Sequence, residues 1–249
     1  MVSRTFGLIG YPLSHSFSKK YFREKFVQEG ISGCQYELFP IASIELIMDL
    51  LQENKQLEGL NVTIPYKVSV IPYLNELEEA AAFIGAVNCI SIQFRDGSPF
   101  LKGYNTDAYG FEESLKPLLA PHHQKALIFG NGGAAKAVKY VLQKLGIPYL
   151  SVTRTSIPEA ITYDQVTEAI LQEHTLLINT TPLGMSPNLD TYPPIPYQFL
   201  SEQHLSYDLV YNPEESRFLE LSKAEGAVIK NGMEMLELQA ERSWFIWNP

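Results

Sequence analysis

Lys125-Ala-Leu-Ile-Phe-Gly-Asn-Gly-Gly-Ala-Ala-Lys-Ala-Val138 decides the fold. Lys125 to Phe129 is an apolar run of strand length, and Gly130-Asn131-Gly132-Gly133 is a glycine turn. From Ala134 the apolar residues Ala134, Ala137, Val138, Val141, Leu142 and Leu145 follow helical spacing, and Gly146 closes the run. Strand, tight turn and helix together are the context in which a glycine pattern signals a dinucleotide site. Gly130 allows the sharp turn, and Gly132 lets backbone amides approach a pyrophosphate. Ala135 is the third small position, where helix and strand pack closely, and the helix N-terminus favours negative charge.

Working outward, an NAD site would place an acidic residue about 20 positions on, at the end of the second strand. Here Tyr149 to Thr153 reads as that strand and Arg154 follows, flanked by Thr153 and Thr155. A guanidinium between hydroxyls suits a 2′-phosphate, so NADP is expected over NAD. The bland alternative for the glycines alone is an ordinary strand-to-helix turn.

Because this fingerprint begins mid-chain in a protein of 249 residues, another unit has to precede it. Thr5 to Ile9 reads as a strand, with a helix from about Ser18 to Gln28 and a strand over Cys34 to Phe39. Ile44 to Leu51 is amphipathic, and Leu57 to Ile64 is a third strand. Glu76 to Ile84 reads as helix, Ala86 to Phe94 as strand, Arg95 to Ser98 as turn and Phe100 to Gly103 as strand. Tyr109 to Leu119 reads as helix. Beyond Arg154 come a helix near Asp164 to Gln172, strands over Thr175 to Asn179, Leu205 to Tyr211 and Ala227 to Lys230, and a helix over Pro213 to Glu225. The last helix, from about Met233, carries Met235, Leu236, Leu238, Trp244 and Phe245, too apolar for a free tail. This alternation predicts an α/β fold of two domains with mainly parallel sheets, the second Rossmann-like.

Composition narrows the function. Hydrophobic residues make up 45% of the chain and the net charge is −9, with no basic run to neutralise phosphates, so nucleic-acid binding is disfavoured. Cys34 and Cys89 read as small buried hydrophobes. The five histidines lack zinc-type spacing, so no metal is expected. The longest apolar stretch, Ala80 to Ile92, is too short for a bilayer, and the N-terminus shows no signal peptide. A reducing cytoplasm fits these features.

The first half places short polar groups after strands: Ser14, Ser16 and Ser18, then Asn61, Thr63 and Lys67, with Asn88 inside the next strand and Asn105 and Asp107 after the last. Ligands of open parallel sheets bind outside the carboxyl ends of strands, so several of these groups could share one cleft. Singly, each is more often a helix cap or turn former. Lys67 stands out, because Pro65 reads as a first helical residue and puts a cation beside the positive end of a helix dipole. A nearby carboxylate or an anionic ligand would explain it. Ser14-His15-Ser16 is no triad, since neighbours in sequence cannot form one, and His15 reads as a residue that orients the turn.

Together the motifs carry a resemblance. Gly10-Tyr-Pro-Leu-Ser-His-Ser-Phe-Ser18, Asn61-Val-Thr-Ile-Pro-Tyr-Lys67, Gly85-Ala-Val-Asn88 and Gly103-Tyr-Asn-Thr-Asp107 follow one another in the first half. Gly130-Asn-Gly-Gly-Ala-Ala135, Ile178-Asn-Thr-Thr-Pro-Leu-Gly-Met185, Asp208-Leu-Val-Tyr-Asn-Pro213 and Gly232-Met-Glu-Met-Leu-Glu-Leu-Gln-Ala240 complete the series. In this order the chain closely resembles the shikimate dehydrogenase family from Gly10 to Ala240.

That resemblance implies reversible, NADP-linked reduction of 3-dehydroshikimate to shikimate, on the route to chorismate and the aromatic amino acids. It implies that Ser16 and Ser18, helped by Tyr211, hold the substrate carboxylate, and that Thr63, Asn88 and Gln239 bind ring hydroxyls. Lys67 and Asp107 match the catalytic pair. Gly130, Asn131, Gly132, Gly133 and Ala134 would line the pyrophosphate turn, Thr153, Arg154 and Thr155 the 2′-phosphate, and Met185 and Gly232 the nicotinamide. The implied domains are residues 1–103 with 232–249 for substrate and 104–231 for cofactor, the C-terminal helix returning to the first, in a monomer or homodimer.

Some positions depart from the family. Asn131 stands where alanine is usual, which bears on the pyrophosphate contact, and Thr153 where asparagine is common, so adenosine contacts and strict NADP preference are expected to differ. Phe17 and Lys19 replace a frequent lysine and proline. Two rival readings remain at this level: a relative that also takes quinate or NAD, and a non-catalytic module that senses dinucleotides.

Overall fold

The computed structural model describes residues 4–13, 16–95 and 97–249. Ser14, His15 and Asp96, named above in the serine-rich turn and the Arg95 to Ser98 turn, lie outside the described residues. The chain divides into two compact units, Met1–Thr106 with Gln239–Pro249, and Asp107–Leu238.

In the first unit β1 (Arg4–Ile9) leads to α1 (Phe17–Gln28), β2 (Cys34–Phe39), α2 (Ile47–Glu53) and β3 (Leu57–Val62). There follow α3 (Tyr66–Ser69), β4 (Glu76–Leu77), α4 (Glu79–Ile84), β5 (Cys89–Arg95) and β6 (Ser98–Tyr104), and α5 (Thr106–Leu115) begins at the unit's edge. The strands form a six-stranded sheet in the order β2-β1-β3-β5-β6-β4. β1 pairs in parallel with β2 and β3, so β1 and β3, the two of these strands that precede candidate site residues, end on one edge. β5 enters antiparallel to both β3 and β6. This sheet is therefore mixed, because the paired Arg95 and Ser98 of β5 and β6 are only three positions apart in sequence, too few for a crossover.

The second unit runs through β7 (Ala126–Phe129), α6 (Gly133–Lys144), β8 (Tyr149–Thr153), β9 (Ala160–Thr162), α7 (Glu168–Glu173), β10 (Leu176–Asn179), β11 (Leu205–Asp208), α8 (Arg217–Ala224) and β12 (Val228–Lys230). Its six-stranded sheet, β12-β11-β10-β7-β8-β9, is parallel at every pairing. The strand order reverses direction at β7, the topological switch point at which such sheets bind dinucleotides. All four residues of β7 are buried, as a central parallel strand requires. α6 buries Ala137, Val138, Val141 and Leu142 of the face its spacing predicts, together with Ala135, whereas Ala134 is exposed and Leu145, the C-cap, is half-buried.

α9 (Met233–Trp247) starts in the second unit and ends in the first. Its final turns seal an aromatic cluster. Trp247 stacks on Phe6 at 5.0 Å, Trp244 meets the same ring edge-on at 5.3 Å, and Phe22 stacks on Tyr36 at 4.7 Å. Gly59 makes the slot, since a Cβ there would lie 2.3 Å from the Trp247 indole nitrogen, which donates to the Ile90 carbonyl at 3.0 Å. Burying each large aromatic contributes about 2–3 kcal/mol, enough to hold the apolar helix end against β1 and α1.

Several local expectations give way. Glu76–Leu77 is a strand paired with Lys102 and Gly103, not the start of a helix, because sheet pairing overrides the local pattern. β3 stops at Val62 and β11 at Asp208, so Ile64 and Tyr211 lie in loops. Asn88 precedes β5 and does not lie within a strand. Pro65 is the cap of α3 and not its first helical residue, and α3 has only four residues, so the dipole acting on Lys67 is slight. Cys34 is half-buried, whereas Cys89 is fully buried and burial pushes its thiol up to about 12. No helix among the described residues is long and apolar enough to cross a membrane.

Candidate functional site

In the first unit the candidate residues gather where β1 and β3 end. The backbone of Thr63 is pinned there by its N–H to the Ile9 carbonyl at 3.0 Å, and the Tyr66 N–H returns to the Thr63 carbonyl at 2.9 Å. Gly10 makes room, since a Cβ on it would stand 2.5 Å from the Thr63 methyl carbon. Lys67, half-buried on α3, is fixed through its carbonyl, which accepts from the Val87 N–H at 2.7 Å, one residue before Asn88. Ser16 is the N-cap of α1, its hydroxyl accepting from the Lys19 N–H at 3.3 Å. The cap reading of that serine therefore holds structurally, alongside any role toward a ligand.

A buried hydrogen-bonded chain joins three of the other candidates. Ser18 bonds the Tyr36 hydroxyl, which donates to Asn61 Oδ1 at 2.8 Å. Asn61 Nδ2 donates to the Asn88 carbonyl at 3.2 Å and to Ser243 Oγ at 2.9 Å. The Asn88 side chain is satisfied in turn, accepting from the Thr106 N–H at 2.7 Å and donating to Thr106 Oγ1 at 3.0 Å. Thr106 Oγ1 lies 3.4 Å from Gln239 Oε1, and Ser243 Oγ donates to the Gln239 carbonyl at 2.9 Å. Each bond satisfies a group whose unpaired burial would cost about 1–3 kcal/mol, so the chain fixes side-chain positions before any ligand arrives. Burial also pushes the Tyr36 hydroxyl well above its ordinary range, so it stays a neutral donor.

Sequence reasoning missed Tyr36, Thr106 and Ser243. Ser243 left a trace, because Gln239, Ser243 and Trp247 recur every fourth residue on the buried face of α9. A polar pair on an apolar helical face signals a buried partner. Asp107 follows Thr106 in the first turn of α5 and belongs to the second unit, as does Tyr211, half-buried in the loop after β11.

The second unit carries the dinucleotide candidates. Gly130 has φ +104, where an L side chain is strained, and its Cβ would meet Thr180 Oγ1 at 2.8 Å. Gly132 and Gly133 differ: a Cβ on either meets nothing within 4 Å. Glycine there is not required by the protein's own packing, which leaves open space at the N-terminus of α6, as a pyrophosphate cradle needs. Ala134 is exposed on the same turn and Ala135 is fully buried against the sheet. Thr153, Arg154 and Thr155 line a cavity of about 460 Å³ with Asn131 and Ile157. Thr153 Oγ1 donates to the Thr155 carbonyl at 2.8 Å, shaping that loop around the guanidinium. The residues present thus fit a dinucleotide.

The other two cofactor candidates stand on loops that a buried carboxylate braces. Asp208 accepts from Asn179 Nδ2 at 2.9 Å, from the Val210 N–H at 3.0 Å and from Ser216 Oγ at 2.5 Å. Asn179 Oδ1 also accepts from the Thr181 hydroxyl at 2.6 Å, which holds the loop that ends at Met185. Burial pushes the Asp208 carboxyl from 3.8 up to about 6, opposed by these hydrogen bonds. Met185 is 45% exposed, so its side chain is open to a ligand. At Gly232 a Cβ would stand 2.2 Å from the Leu209 carbonyl oxygen, so only glycine lets these loops close on one another.

Known proteins resemble this chain in sequence and fold. A family model described as the shikimate dehydrogenase substrate binding domain matches residues 8–90. A shikimate dehydrogenase (NADP(+)) from Clostridium beijerinckii is 37% identical over 255 residues, covering 97% of this chain and 91% of its own. The solved shikimate 5-dehydrogenase of Listeria monocytogenes, in complex with shikimate and NAD, is similar with a TM-score of 0.86 at 26% identity, covering 99% of this chain and 92% of that one. That of Thermus thermophilus, in complex with NADP(H) and shikimate, has a TM-score of 0.83 at 30% identity, covering 98% and 93%. At 30% identity or more over nearly the whole length of both chains, as with the Clostridium and Thermus proteins, the chain belongs to the shikimate dehydrogenase family.

Proposed function

We propose that this chain catalyses the reversible, NADP-dependent interconversion of 3-dehydroshikimate and shikimate, a step toward chorismate and the aromatic amino acids. The observation that carries the reading is the buried chain from Ser18 through Asn61 and Asn88 to Gln239, which holds three ring- and carboxylate-binding candidates in fixed positions. Ser16 and Ser18, with Tyr211, take the carboxylate, and Thr63, Asn88 and Gln239 take the ring hydroxyls.

The nicotinamide supplies the hydride when bound. A ketone that accepts a hydride becomes an alkoxide, and an ammonium within hydrogen-bond reach both stabilises and protonates it. Lys67 fills that role, and Asp107 orients it and shares the proton. Gly130 to Ala134 take the pyrophosphate, Met185 and Gly232 border the nicotinamide, and Thr153, Arg154 and Thr155 select NADP by its 2′-phosphate. The protein works in the cytoplasm as a monomer or homodimer.

The test is the initial rate of NADP⁺ reduction by purified protein with shikimate, against a blank without it. Shikimate-dependent reduction is expected. Absence of reduction where NADP⁺ still binds would overturn the substrate assignment and leave the cofactor site standing. A second reading, use of NAD, is favoured by the NAD-bound Listeria relative. Equal rates with NAD⁺ would support it against Arg154-based selection, and quinate in place of shikimate tests substrate breadth.

A further inference from the structure

Beside the 2′-phosphate candidates stands a cation that the glycine turn and Arg154 leave unexplained. Helical side chains lean toward the helix N-terminus, and Lys139 on α6 does so, its Nζ donating to Asn131 Oδ1 at 2.6 Å. Its Nζ also lies 5.8 Å from the centroid of the Tyr149 ring, at the start of β8. Asn131 lines the cavity that holds Thr153, Arg154 and Thr155. Lys139 is half-buried, and that burial pulls its ammonium below the usual value, with the Glu159 charge acting the other way. Among the described residues no carboxylate comes within ion-pair distance of Lys139, and its hydrogen-bond partner is a neutral amide. An ammonium has three N–H groups, so two remain to be used.

A guanidinium lining one cavity and a partly desolvated lysine bonded to another residue of its lining, Asn131, without a paired carboxylate for the lysine, make a poor resting arrangement unless an anion completes it. Asn131 is also more than the turn needs, since the glycines around it supply the conformation and its amide serves to hold the lysine. We propose that Lys139, held by Asn131, is a second cation of the phosphate pocket and sets selectivity for a 2′-phosphorylated dinucleotide together with Arg154. The inference rests on the reading above that this cavity takes the adenosine 2′-phosphate.

Calorimetric titration of the full chain with NADP⁺ and with NAD⁺ tests it, using Lys139→Met, Lys139→Arg, Asn131→Ala and Arg154→Gln. Lys139→Met is expected to weaken NADP⁺ about tenfold, the size of one charge-assisted hydrogen bond, while leaving NAD⁺ unchanged. Lys139→Arg should recover most of the loss, Asn131→Ala should lose less in the same direction, and the salt dependence of NADP⁺ affinity should flatten in Lys139→Met. An unchanged NADP⁺ to NAD⁺ ratio in Lys139→Met, with a fall in Arg154→Gln, would overturn the lysine's role and leave the pocket assigned. No fall in either variant would overturn the pocket assignment too. Equal weakening of both cofactors would show that Lys139 only supports the turn, and would also refute the proposal.

Discussion

The first unit holds its candidate residues with buried side-chain amides, while the second shapes its turn with backbone. Asn61, Asn88 and Gln239 are each less than a tenth exposed and are bonded to one another through Thr106 and Ser243. Asn131, Gly132, Gly133 and Ala134 are all exposed, and two of the glycines border open space. Selectivity among small polyhydroxylated acids needs donors and acceptors fixed in direction, and burial fixes them. A pyrophosphate needs amides at close range and little else, which a glycine turn supplies without a packed core. In the first unit, then, stability and the proposed recognition use the same atoms. At the turn they are separable.

The most severe test of that contrast is Lys67→Ala. Lys67 is half-buried and anchored through its backbone, so losing the side chain should leave the fold alone while kcat falls about a thousandfold and the KM for shikimate barely moves. Near-normal turnover in steady-state assays would remove Lys67 from the chemistry.

Next comes a fully buried carboxylate of the second unit, Asp208, which limits the claim that this unit relies on backbone. With its folded value raised to about 6 from 3.8, Asp208 binds a proton more tightly folded than unfolded. Its contribution to stability is therefore full below about pH 4 and is lost as pH rises through about 6, by on the order of 3 kcal/mol. Urea midpoints of the parent and Asp208→Asn at pH 4 and pH 7 measure this. The parent should lose more stability than the variant on going up in pH, and parallel behaviour would show that Asp208 is not strained by its burial.

A smaller loss, about 2 kcal/mol, is expected for Asn88→Ala, which leaves the buried Thr106 N–H without its acceptor. Shikimate affinity should fall in the same variant. Destabilisation without loss of affinity, read from urea melts beside titrations, would separate the two functions that the contrast joins.

The smallest effect on stability belongs to Gly132→Ala, where φ is −83 and the new methyl meets open space. Folding stability should stay within about 0.5 kcal/mol of the parent or rise, while NADP⁺ affinity falls about tenfold as the methyl crowds the pyrophosphate. Unchanged affinity would mean the dinucleotide does not approach this turn.

What could be read from the chain follows the same division. β7, the glycine turn, α6 and β8 were legible because strand length, glycine freedom and helical spacing are local properties. Arg154 was legible by its place after β8. The buried chain was not, because its members lie far apart in sequence. Asn88 reads as a strand residue until Thr106, on a different element, takes its amide. Glu76 and Leu77 read as helix until β6 offers a pairing edge. Lys139 sits at an ordinary position of an amphipathic helix, and only its reach to Asn131 sets it apart. Contacts that long-range packing creates leave at most a polar residue on an apolar face, as Ser243 does.

The aromatic seal on the first unit has a practical side. The chain has two tryptophans, Trp244 and Trp247, both in the last turns of α9 against Phe6 and Phe22. The Asp107–Leu238 unit has none. Indole emission is therefore a built-in label for one half of the molecule, reporting when the terminal helix leaves its seat and staying silent while the other half melts. Set beside a probe of total helix content, it would show whether the two halves come apart together or in turn.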